Sequence, residues 1–394
     1  MPRAWLPPCA RCWASRPPCT RRRPASSRRG SASRTVDDPG VRDVNLPALF
    51  TRYREAVIAE MRAVVGDDVA LLYRIIRYHL GWEEPDGRPG PGLGGKALRP
   101  ALCLLACEGT GGRVEQCLPA AAAIELIHNF SLIHDDIQDE DRERHGRPTV
   151  WTIWGVPQGI NAGDGLWALA GRSFLRLAQR GVPPERIVRA YMLLNEACLT
   201  IIEGQALDLA FEARAPAMVA GNGITTVDVP AYLDMIDRKT GALIGAALAV
   251  GALIGCGDEA VAQRCHHLGR LLGRVFQIQD DILGIWGDDA VTGKSTSSDI
   301  RRRKQSYPVV YTLTQGPAAA RAELAAVYAL PQIDDADVAR AVRAMEAAGA
   351  REQAAMLARK AHDEALALLD TLPFTPASRA DLRELTAFLL ERPF

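Results

Sequence analysis

The chain has 394 residues with 47 basic and 47 acidic side chains, so its formal net charge is zero. Residues 1–36 carry nine arginines and no acidic residue, which leaves 38 basic (47 − 9) against 47 acidic residues in the remainder. An acidic body argues against nucleic acid as a partner. The length allows a large buried core, and the Ala-rich and Leu-rich segments predict one mostly helical unit.

The first 40 residues are rich in Pro, Arg and Ser and contain no apolar run long enough for a secretory signal. Their composition superficially matches an organelle transit peptide, and it equally matches a disordered extension or a start site placed too early. We favour the last two interpretations. We therefore predict a disordered extension over residues 1–40 and a single domain over residues 41–394.

Nine cysteines, an odd number, are scattered along the chain. Cys9 and Cys12 form a CxxC pair, but no second pair or nearby histidines complete a zinc site. Thiols scattered in apolar helices are typical of buried positions in a reducing compartment, so we predict a cytoplasmic protein.

From Leu46 onward, apolar residues recur three and four positions apart in LPALFTRYREAVIAEMRAVVG and DVALLYRIIRYHLGW, which predicts amphipathic helices. The Gly/Pro-rich loop EPDGRPGPGLGGKALRP follows and leads into a helix that begins near Arg99. Lys96 and Arg99 combine a point charge with a bidentate fork beside flexible backbone, which is a plausible clamp for a diphosphate.

An apolar helical run, IELIHNFSLI, ends in Asp135, Asp136 and Asp139. Residues four apart on a helix are neighbours, so Asp135 and Asp139 are predicted to share one face, with Cβ atoms about 5–6 Å apart. Carboxylates facing open space suit Mg²⁺, which keeps several waters and shares its other positions with phosphate oxygens. An isolated cluster of this kind is more often a solvated helix end than a metal site. A second acidic cluster further along the chain favours the metal site.

Between the acidic clusters, the segment VWTIWGVPQGINAGDGLWALAGRSFLRLA predicts a loop and then a core helix. After a linker from Arg214 to Val229, Asp228 and Pro230 give a typical helix start, with an Asp cap and an early Pro. The apolar tail of the next helix, from Gly241 to Gly257, is too short and too weakly hydrophobic for a membrane span of about 20 residues. We predict a buried core helix and no integral membrane protein.

Asp280 and Asp281 form the second acidic cluster, about 145 residues downstream of the first, in FQIQDDILGIWGD. Two acidic clusters on separate helices can hold a metal-bound diphosphate between them, above an apolar cavity. This arrangement suits a substrate with a hydrocarbon tail and a diphosphate head. The polar loop GKSTSSDIRRRKQSYP comes next and, taken alone, is typical of a solvated loop; closed as a lid, it would bring cations over the phosphates and exclude water.

These motifs, in this order, resemble those of the trans-isoprenyl diphosphate synthases (polyprenyl synthetases), the family of the farnesyl and geranylgeranyl diphosphate synthases. The resemblance extends from about residue 45 to the C terminus. It implies an all-α, isoprenoid synthase-type helical bundle around a deep central cavity, and a soluble homodimer. It also implies Mg²⁺, as three ions with bound diphosphate, and two substrates, isopentenyl diphosphate and an allylic prenyl diphosphate.

The resemblance assigns roles to side chains in three groups. The metal ions would be bound by Asp135, Asp136, Asp139, Asp280 and Asp281. Isopentenyl diphosphate would be bound by Lys96, Arg99 and His128, with His145 at the position of a further donor. The allylic diphosphate would be bound and its departure assisted by Arg144, Lys239, Thr240, Gln277, Lys294 and Lys304, with the Thr240 oxygen facing the developing carbocation.

Two positions depart from the family pattern. His145 replaces an expected arginine, which predicts a weaker or pH-sensitive hold on the second substrate. Gly284 replaces the expected fifth-position aspartate of the second motif, and Asp288 lies about 12 Å from Asp280 along a helix at 1.5 Å per residue. Gly284 and Gly287 would have to turn the chain to bring Asp288 closer. We expect metal binding to survive through Asp280 and Asp281.

The implied reaction is ionisation of the allylic diphosphate, head-to-tail 1′-4 condensation with isopentenyl diphosphate, and loss of a proton. Phe130 lies five residues before Asp135 beside the small Ser131, and no insertion splits DDIQD. This pattern resembles the geranylgeranyl, C20, class more than the farnesyl class. The alternative is that Phe130 is only a core residue, and a shorter or longer product remains open.

Two rival functions fit parts of the sequence. A terpene cyclase on the same fold would explain Gly284 and His145, but it has no use for the isopentenyl diphosphate donors Lys96, Arg99 and His128. A non-catalytic partner subunit would be expected to lose its metal aspartates, and this chain retains all five. The sequence therefore favours a condensing prenyltransferase.

Overall fold

The computed structural model describes residues 49–92, 94, 97–219, 227–287 and 298–391, all within one compact unit, Asn45–Phe394. The predicted extension over residues 1–40 lies outside the described residues, as do Lys96, Asp288 and Lys294. Nearly all regular structure in the described part is helical, which confirms the all-α fold. A two-stranded antiparallel hairpin is formed by β1 (Glu143–Arg144) and β2 (Arg147–Pro148).

The helices that build the site are, in chain order, α1 (Leu49–Arg52), α2 (Arg54–Val65), α3 (Leu71–His79), α4 (Leu98–Gly109), α5 (Val114–Gln138), α6 (Val150–Trp154), α7 (Val156–Leu175), α8 (Pro184–Val219), α9 (Val229–Ile236), α10 (Ala242–Cys256) and α11 (Glu259–Trp286). The C-terminal helices are α12 (Ser298–Arg301), α13 (Tyr307–Gln315), α14 (Ala318–Tyr328), α15 (Asp335–Ala347), α16 (Ala350–Asp370) and α17 (Pro376–Leu390), so the predicted helical C-terminal region is confirmed.

Helix α10 is the centre of the bundle, and every residue from 242 to 254 is buried. Its small residues let neighbouring backbones approach closely. A Cβ atom at Gly251 would lie 2.0 Å from the Cys103 carbonyl oxygen of α4. The helices over 114–138 and 229–256 are long and apolar enough to cross a membrane, but most of each is buried inside the bundle. The prediction that Gly241–Gly257 belongs to the core is confirmed.

Helix α7 begins earlier than the sequence indicated. The predicted loop after residue 149 is almost entirely helical, because only Gly155, with φ of 82°, separates α6 from α7. Pro157 lies in the first turn of α7, where its missing N–H costs no hydrogen bond. The prediction of a loop there was wrong, and the early start sets α7 alongside the acidic end of α5.

Helices α8 and α9 flank the predicted linker. The linker is shorter than predicted, because α8 continues through Arg214 to Val219. The start of α9 is as predicted, with the Asp228 carboxylate accepting a hydrogen bond from the Ala231 amide. One π-helical turn over 237–241 then joins α9 to α10. Such turns often occur at functional sites, and this one carries Lys239 and Thr240.

Candidate active site

The three aspartates of the first motif divide between two directions at the end of α5. The Asp139 amide still donates to the Asp135 carbonyl at 2.7 Å, so the helical spacing holds and the two carboxylates interact. Asp136 lies about 100° further around the helix. It is buried and accepts from Arg144 Nε at 2.7 Å. Asp135 and Asp139 thus share one face as predicted, whereas Asp136 holds Arg144 of the hairpin.

Burial governs the acidities of these carboxylates. It raises the pKa of Asp136 to about 6, although the Arg144 guanidinium opposes that shift. Burial likewise raises the pKa of Asp135, which the Lys239 ammonium and the Arg144 guanidinium counteract. Asp139 is paired with Arg302, whose Nη2 lies 2.6 Å from Oδ1. The first motif is therefore surrounded by cations contributed by three other segments of the chain.

The π-helical turn brings the predicted Lys239 and Thr240 into the site. Lys239 Nζ donates to Asp208 Oδ2 at 2.5 Å, and Thr240 Oγ1 donates to Gln277 Oε1 at 2.7 Å. Gln277 Nε2 in turn donates to Asp281 Oδ1 at 3.0 Å. A continuous chain of hydrogen bonds therefore connects the π-helical turn to the second acidic motif.

Asp281 is buried and has most of its acceptor capacity used. Besides Gln277, its carboxylate accepts from the Tyr232 hydroxyl at 2.7 Å and from the Tyr307 amide at 2.8 Å. Burial raises its pKa to about 6, opposed by the Lys304 ammonium and these hydrogen bonds. Asp280 is less buried, and its charge acts on Arg99 of α4. The two adjacent aspartates thus face different surroundings.

Lys304 lies between the two acidic motifs. The carboxylates of Asp299, Asp208, Asp281 and Asp139 all raise its pKa against the effect of burial. A cavity of about 60 Å³ is lined by Lys304 together with Asp208, Lys239, Gln277 and Asp281. This volume holds a few waters at most.

The position of the missing fifth-position aspartate is occupied by another carboxylate. A Cβ atom at Gly284 would lie only 2.7 Å from Asp299 Oδ2. Gly284 therefore leaves room for Asp299, which α12 brings from 15 residues downstream (299 − 284). The sequence had suggested a turn that brings Asp288 closer, and that residue lies outside the described part of the chain.

A second group of cationic side chains collects around His128 of α5. Arg99 Nη1 lies 3.1 Å from His128 Nε2, so these two predicted site residues are in contact, and their role in diphosphate binding stays a prediction. Burial and the Arg99 charge lower the pKa of His128 well below its usual value. His145 has a left-handed backbone, with φ of 52°, and its ring lies 3.4 Å from the Cβ position of Gly94 in the Gly-rich loop.

Phe130 belongs to the hydrophobic core cluster below the first motif. Its ring packs edge-to-face against His134, with the ring centroids 4.9 Å apart. His134 in turn lies against α7 at Gly163, where a Cβ atom would be 2.2 Å from Nε2. His134 therefore lies between Phe130 and α7, and the role of Phe130 in product length stays a prediction.

The residues present fit a divalent cation such as Mg²⁺. In the described ranges, no three His, Cys, Asp or Glu side chains are already gathered as a metal site. The oxygen donors are nevertheless suitable, since Asp135 shares a face with Asp139 and interacts electrostatically with Asp139 and with Asp208. Buried Asp208 Oδ1 and Gln205 Oε1 accept no hydrogen bond in the described part of the chain. Hard oxygen ligands of this kind are those that Mg²⁺ accepts.

Several residues at the site were not singled out as site residues from the sequence. Glu212 follows Asp208 by one helical turn, and burial raises its pKa to about 7. Its spacing of four residues from Asp208 was a usable signal. Arg302, Tyr232 and His79 gave no local signal, because each reaches the site through tertiary packing.

Comparisons with known proteins show which sequences and structures this chain resembles. Residues 91–345 match the polyprenyl synthetase family. A geranylgeranyl diphosphate synthase of Mycobacterium tuberculosis is 42% identical over 273 residues, 69% of this chain and 74% of that protein. A (2E,6E)-farnesyl diphosphate synthase of Mycobacterium bovis is 35% identical over 321 residues, 81% of this chain and 85% of that protein. The crystal structure of a polyprenyl synthetase from Streptomyces coelicolor is similar with a TM-score of 0.79 and 38% identity, covering 87% of this chain and 98% of that one.

Proposed function

Because this chain belongs to the polyprenyl synthetase family and is a prenyltransferase, we propose that it condenses isopentenyl diphosphate with an allylic diphosphate to give geranylgeranyl diphosphate. The observation that carries the proposal is the pair of adjoining cationic sites on α5. One surrounds the two acidic motifs with Lys239, Lys304 and Arg302. The other surrounds His128 with Arg99 and the hairpin.

The first site would bind the allylic diphosphate and its metal. Asp135 and Asp139, with Asp280 across the site, would hold Mg²⁺, and we propose three ions with bound diphosphate. When bound, the ions neutralise charge on the leaving pyrophosphate. Glu212 and the unpaired Asp208 Oδ1 add carboxylate oxygens on the α8 side.

The cations of this site would stabilise the departing pyrophosphate. Lys239, Arg144 and Arg302 are each paired with a carboxylate, namely Asp208, Asp136 and Asp139. Binding of metal to the Asp139 carboxylate would release Arg302 toward the phosphates. Fixed cations in a buried site stabilise developing negative charge more than they would in water.

The second site would position isopentenyl diphosphate. Arg99 and His128, with Lys96, would hold its diphosphate so that its double bond faces the allylic carbon, which converts a bimolecular encounter into a positioned one. The Thr240 oxygen would face the cation, the apolar cavity would exclude water, and released pyrophosphate would take the proton. The C20 product rests on Phe130 below Asp135.

We also propose a cytoplasmic homodimer. Helices α7 and α8 expose large apolar side chains at helical spacing, and contiguous apolar surface of this kind often marks a protein interface. On α7 these are Val156, Ile160 and Trp167, and on α8 they are Val188, Tyr191, Met192, Leu199 and Ile202. A second copy related by a two-fold axis would bury both rows. Light scattering of the purified protein at about twice the mass of the chain would support this assembly, and a monomer would overturn it.

The proposal is tested by incubating the protein and Mg²⁺ with labelled isopentenyl diphosphate and, separately, C5, C10 and C15 allylic diphosphates. Products are sized after phosphatase treatment, and a hydrocarbon overlay is sampled. Label in a C20 alcohol is the expected result. Label in another chain length would correct the product class. Hydrocarbon or alcohol from an allylic diphosphate alone, without incorporation, would identify a cyclase and overturn the proposal.

A further inference from the structure

Arg302 lies just after α12, between two arginines that anchor the chain elsewhere. The preceding Arg301 Nη1 donates to the Ile333 carbonyl at 2.5 Å, and the following Arg303 Nε donates to the Tyr328 carbonyl at 3.0 Å. These contacts hold the backbone on both sides of Arg302 against the end of α14 and the loop that follows it. A change of partner at Arg302 therefore needs only a movement of its side chain, which is 31% exposed.

The Arg302 guanidinium bridges two carboxylates at the end of α5. Nη2 lies 2.6 Å from Asp139 Oδ1, and Nη1 lies 3.4 Å from Asp141 Oδ1. The Asp141 backbone is fixed, because its amide donates to the Asp136 carbonyl at 2.9 Å and its carbonyl accepts from Trp151 Nε1 at 2.8 Å. Arg302 thus has one partner among the proposed metal ligands, Asp139, and a second one, Asp141, that is not among them.

The pairing with Asp139 sets Arg302 against a divalent cation. The ion and the guanidinium are both positive, so they repel each other when both lie close to one carboxylate. Each therefore weakens the binding of the other, and the effect is reciprocal by thermodynamic linkage. Asp141 gives the guanidinium a carboxylate that holds it near the site when Asp139 is taken by an ion. A phosphate oxygen would offer it a further acceptor, which the planar fork of an arginine suits.

We propose that Arg302 occupies the metal-binding face of the unloaded site and makes the binding of the ion and the diphosphate cooperative. An ion that binds alone must displace Arg302 from Asp139 without giving it a new acceptor, so it binds weakly. An ion that binds together with a diphosphate supplies that acceptor. The inference rests on the proposed function, which brings an allylic diphosphate to this site, and it adds that Arg302 opposes the ion before it assists the diphosphate.

Two binding measurements on the purified protein test the inference without turnover. Electron paramagnetic resonance follows a titration with Mn²⁺ alone, and calorimetry follows inorganic pyrophosphate at a fixed, saturating Mg²⁺ concentration. Arg302→Ala should bind Mn²⁺ about two- to fivefold more tightly, because the competing ion pair is removed. The same variant should bind pyrophosphate about 10- to 100-fold more weakly, the range for losing hydrogen bonds to a charged group. Arg302→Gln, which is neutral but of similar reach, should shift both affinities in the same directions.

Arg301→Ala is the matched control, since Arg301 is the adjacent arginine but pairs with Asp335 and the Ile333 carbonyl. Both of its affinities should stay within about twofold of the wild type. Arg302→Lys keeps the charge but not the fork, so its Mn²⁺ affinity should remain close to that of the wild type while its pyrophosphate affinity falls.

The opposite signs of the two shifts distinguish this role from a structural one. If Arg302→Ala and Arg302→Gln bind Mn²⁺ no more tightly than the wild type, or bind pyrophosphate equally well, Arg302 only ties α5 to the C-terminal helices and the inference fails. A wild type that incorporates no isopentenyl diphosphate overturns the proposed condensation. An active wild type without the opposite shifts in the variants overturns this inference alone.

Discussion

The two acidic motifs share the pair Asp-Asp but are built in opposite ways around it. At the end of α5, one face carries Asp135 and Asp139, and the nearby cations come from the residue after α12, the π-helical turn and the hairpin. On α11, the carboxylate of the buried Asp281 accepts hydrogen bonds from the Tyr232 hydroxyl and the Tyr307 amide. The fifth position is Gly284, and the Asp299 carboxylate lies against it. The first motif therefore presents two carboxylates on one helix face, whereas the second holds Asp281 in a network of hydrogen bonds.

One feature is nevertheless common to both motifs. The second aspartate of each pair, Asp136 or Asp281, is buried and engaged, whereas the first, Asp135 or Asp280, is more exposed. Adjacent residues on a helix lie about 100° apart, so one of each pair must turn away from the cavity. Asp136 accepts from Arg144 of the hairpin and Asp281 from the Tyr307 amide at the start of α13, whereas Asp135 and Asp280 are the more exposed members of each pair.

The largest expected effect on turnover comes from removing the Asp135 carboxylate. Asp135→Ala should lower kcat by about 10²- to 10³-fold, because the leaving group loses part of its electrostatic stabilisation. The melting temperature should change little, since the Asp135 carboxylate forms no hydrogen bond or ion pair with another element among the described residues. Turnover and thermal unfolding measure both, with the exposed Asp363→Ala as control. Near-normal turnover in the Asp135→Ala protein would remove this residue from the metal site.

Asp281, the hydrogen-bonded aspartate of the second motif, should instead affect how the free energy of unfolding depends on pH. The folded pKa of Asp281, about 6, exceeds the ordinary 3.8, so the native state holds this proton more tightly than the unfolded state. Its stabilising contribution is full below about pH 4 and is lost as pH rises through 6. Relative to Asp281→Asn, the wild type should lose about 2–3 kcal/mol of unfolding free energy between pH 4 and 7.5.

Urea unfolding of both proteins across that pH range measures the difference. Parallel pH profiles for the wild type and the Asp281→Asn variant would show that Asp281 has the same acidity in the folded and unfolded states. Asp164→Asn, an exposed change on α7, serves as a control that should leave the profile unaltered.

The same residues show which features of the site could be predicted from the sequence. Helical periodicity and motif order predicted α5, α11 and the pairing of Asp135 with Asp139, because each depends on residues only a few positions apart. They did not predict which aspartate of each pair is buried. Asp281 is braced by Tyr232, which lies 49 residues away in the chain, and by the Tyr307 backbone. Such choices depend on tertiary packing, which local spacing does not encode.

The contact between Gly284 and Asp299 allows the two motifs to be made more alike. Asp299→Ala should lower turnover about tenfold, because Lys304 loses its strongest counter-charge. Gly284→Asp alone should be destabilising, since its Cβ atom would be 2.7 Å from Asp299 Oδ2 and the two carboxylates would repel. Combining the changes should restore much of the turnover lost in Asp299→Ala.

A double-mutant cycle on kcat and on Mn²⁺ affinity, followed by electron paramagnetic resonance, measures this coupling. Additive effects would show that the two positions act independently and that Asp299 does not replace the missing side chain. Asp335→Ala, an exposed acidic residue in the first turn of α15, controls for the general loss of negative charge.

The smallest effect concerns what lies beneath each motif, and it appears in product length rather than rate. Phe130 lies five residues before Asp135, about 7.5 Å along α5, and Val275 holds the same position relative to Asp280 on α11. If the prenyl chain grows along α5, Phe130→Ala opens its path and should lengthen products by one isoprene unit with little change in total turnover. Val275→Ala removes a buried side chain from the other helix and should leave product length unchanged, as should the size-conserving Phe130→Tyr.

Chromatography of the dephosphorylated products separates these outcomes. An unchanged product from Phe130→Ala would leave this ring a packing role against His134, and equal lengthening from Val275→Ala would place the growing chain between the two motifs instead of below the first.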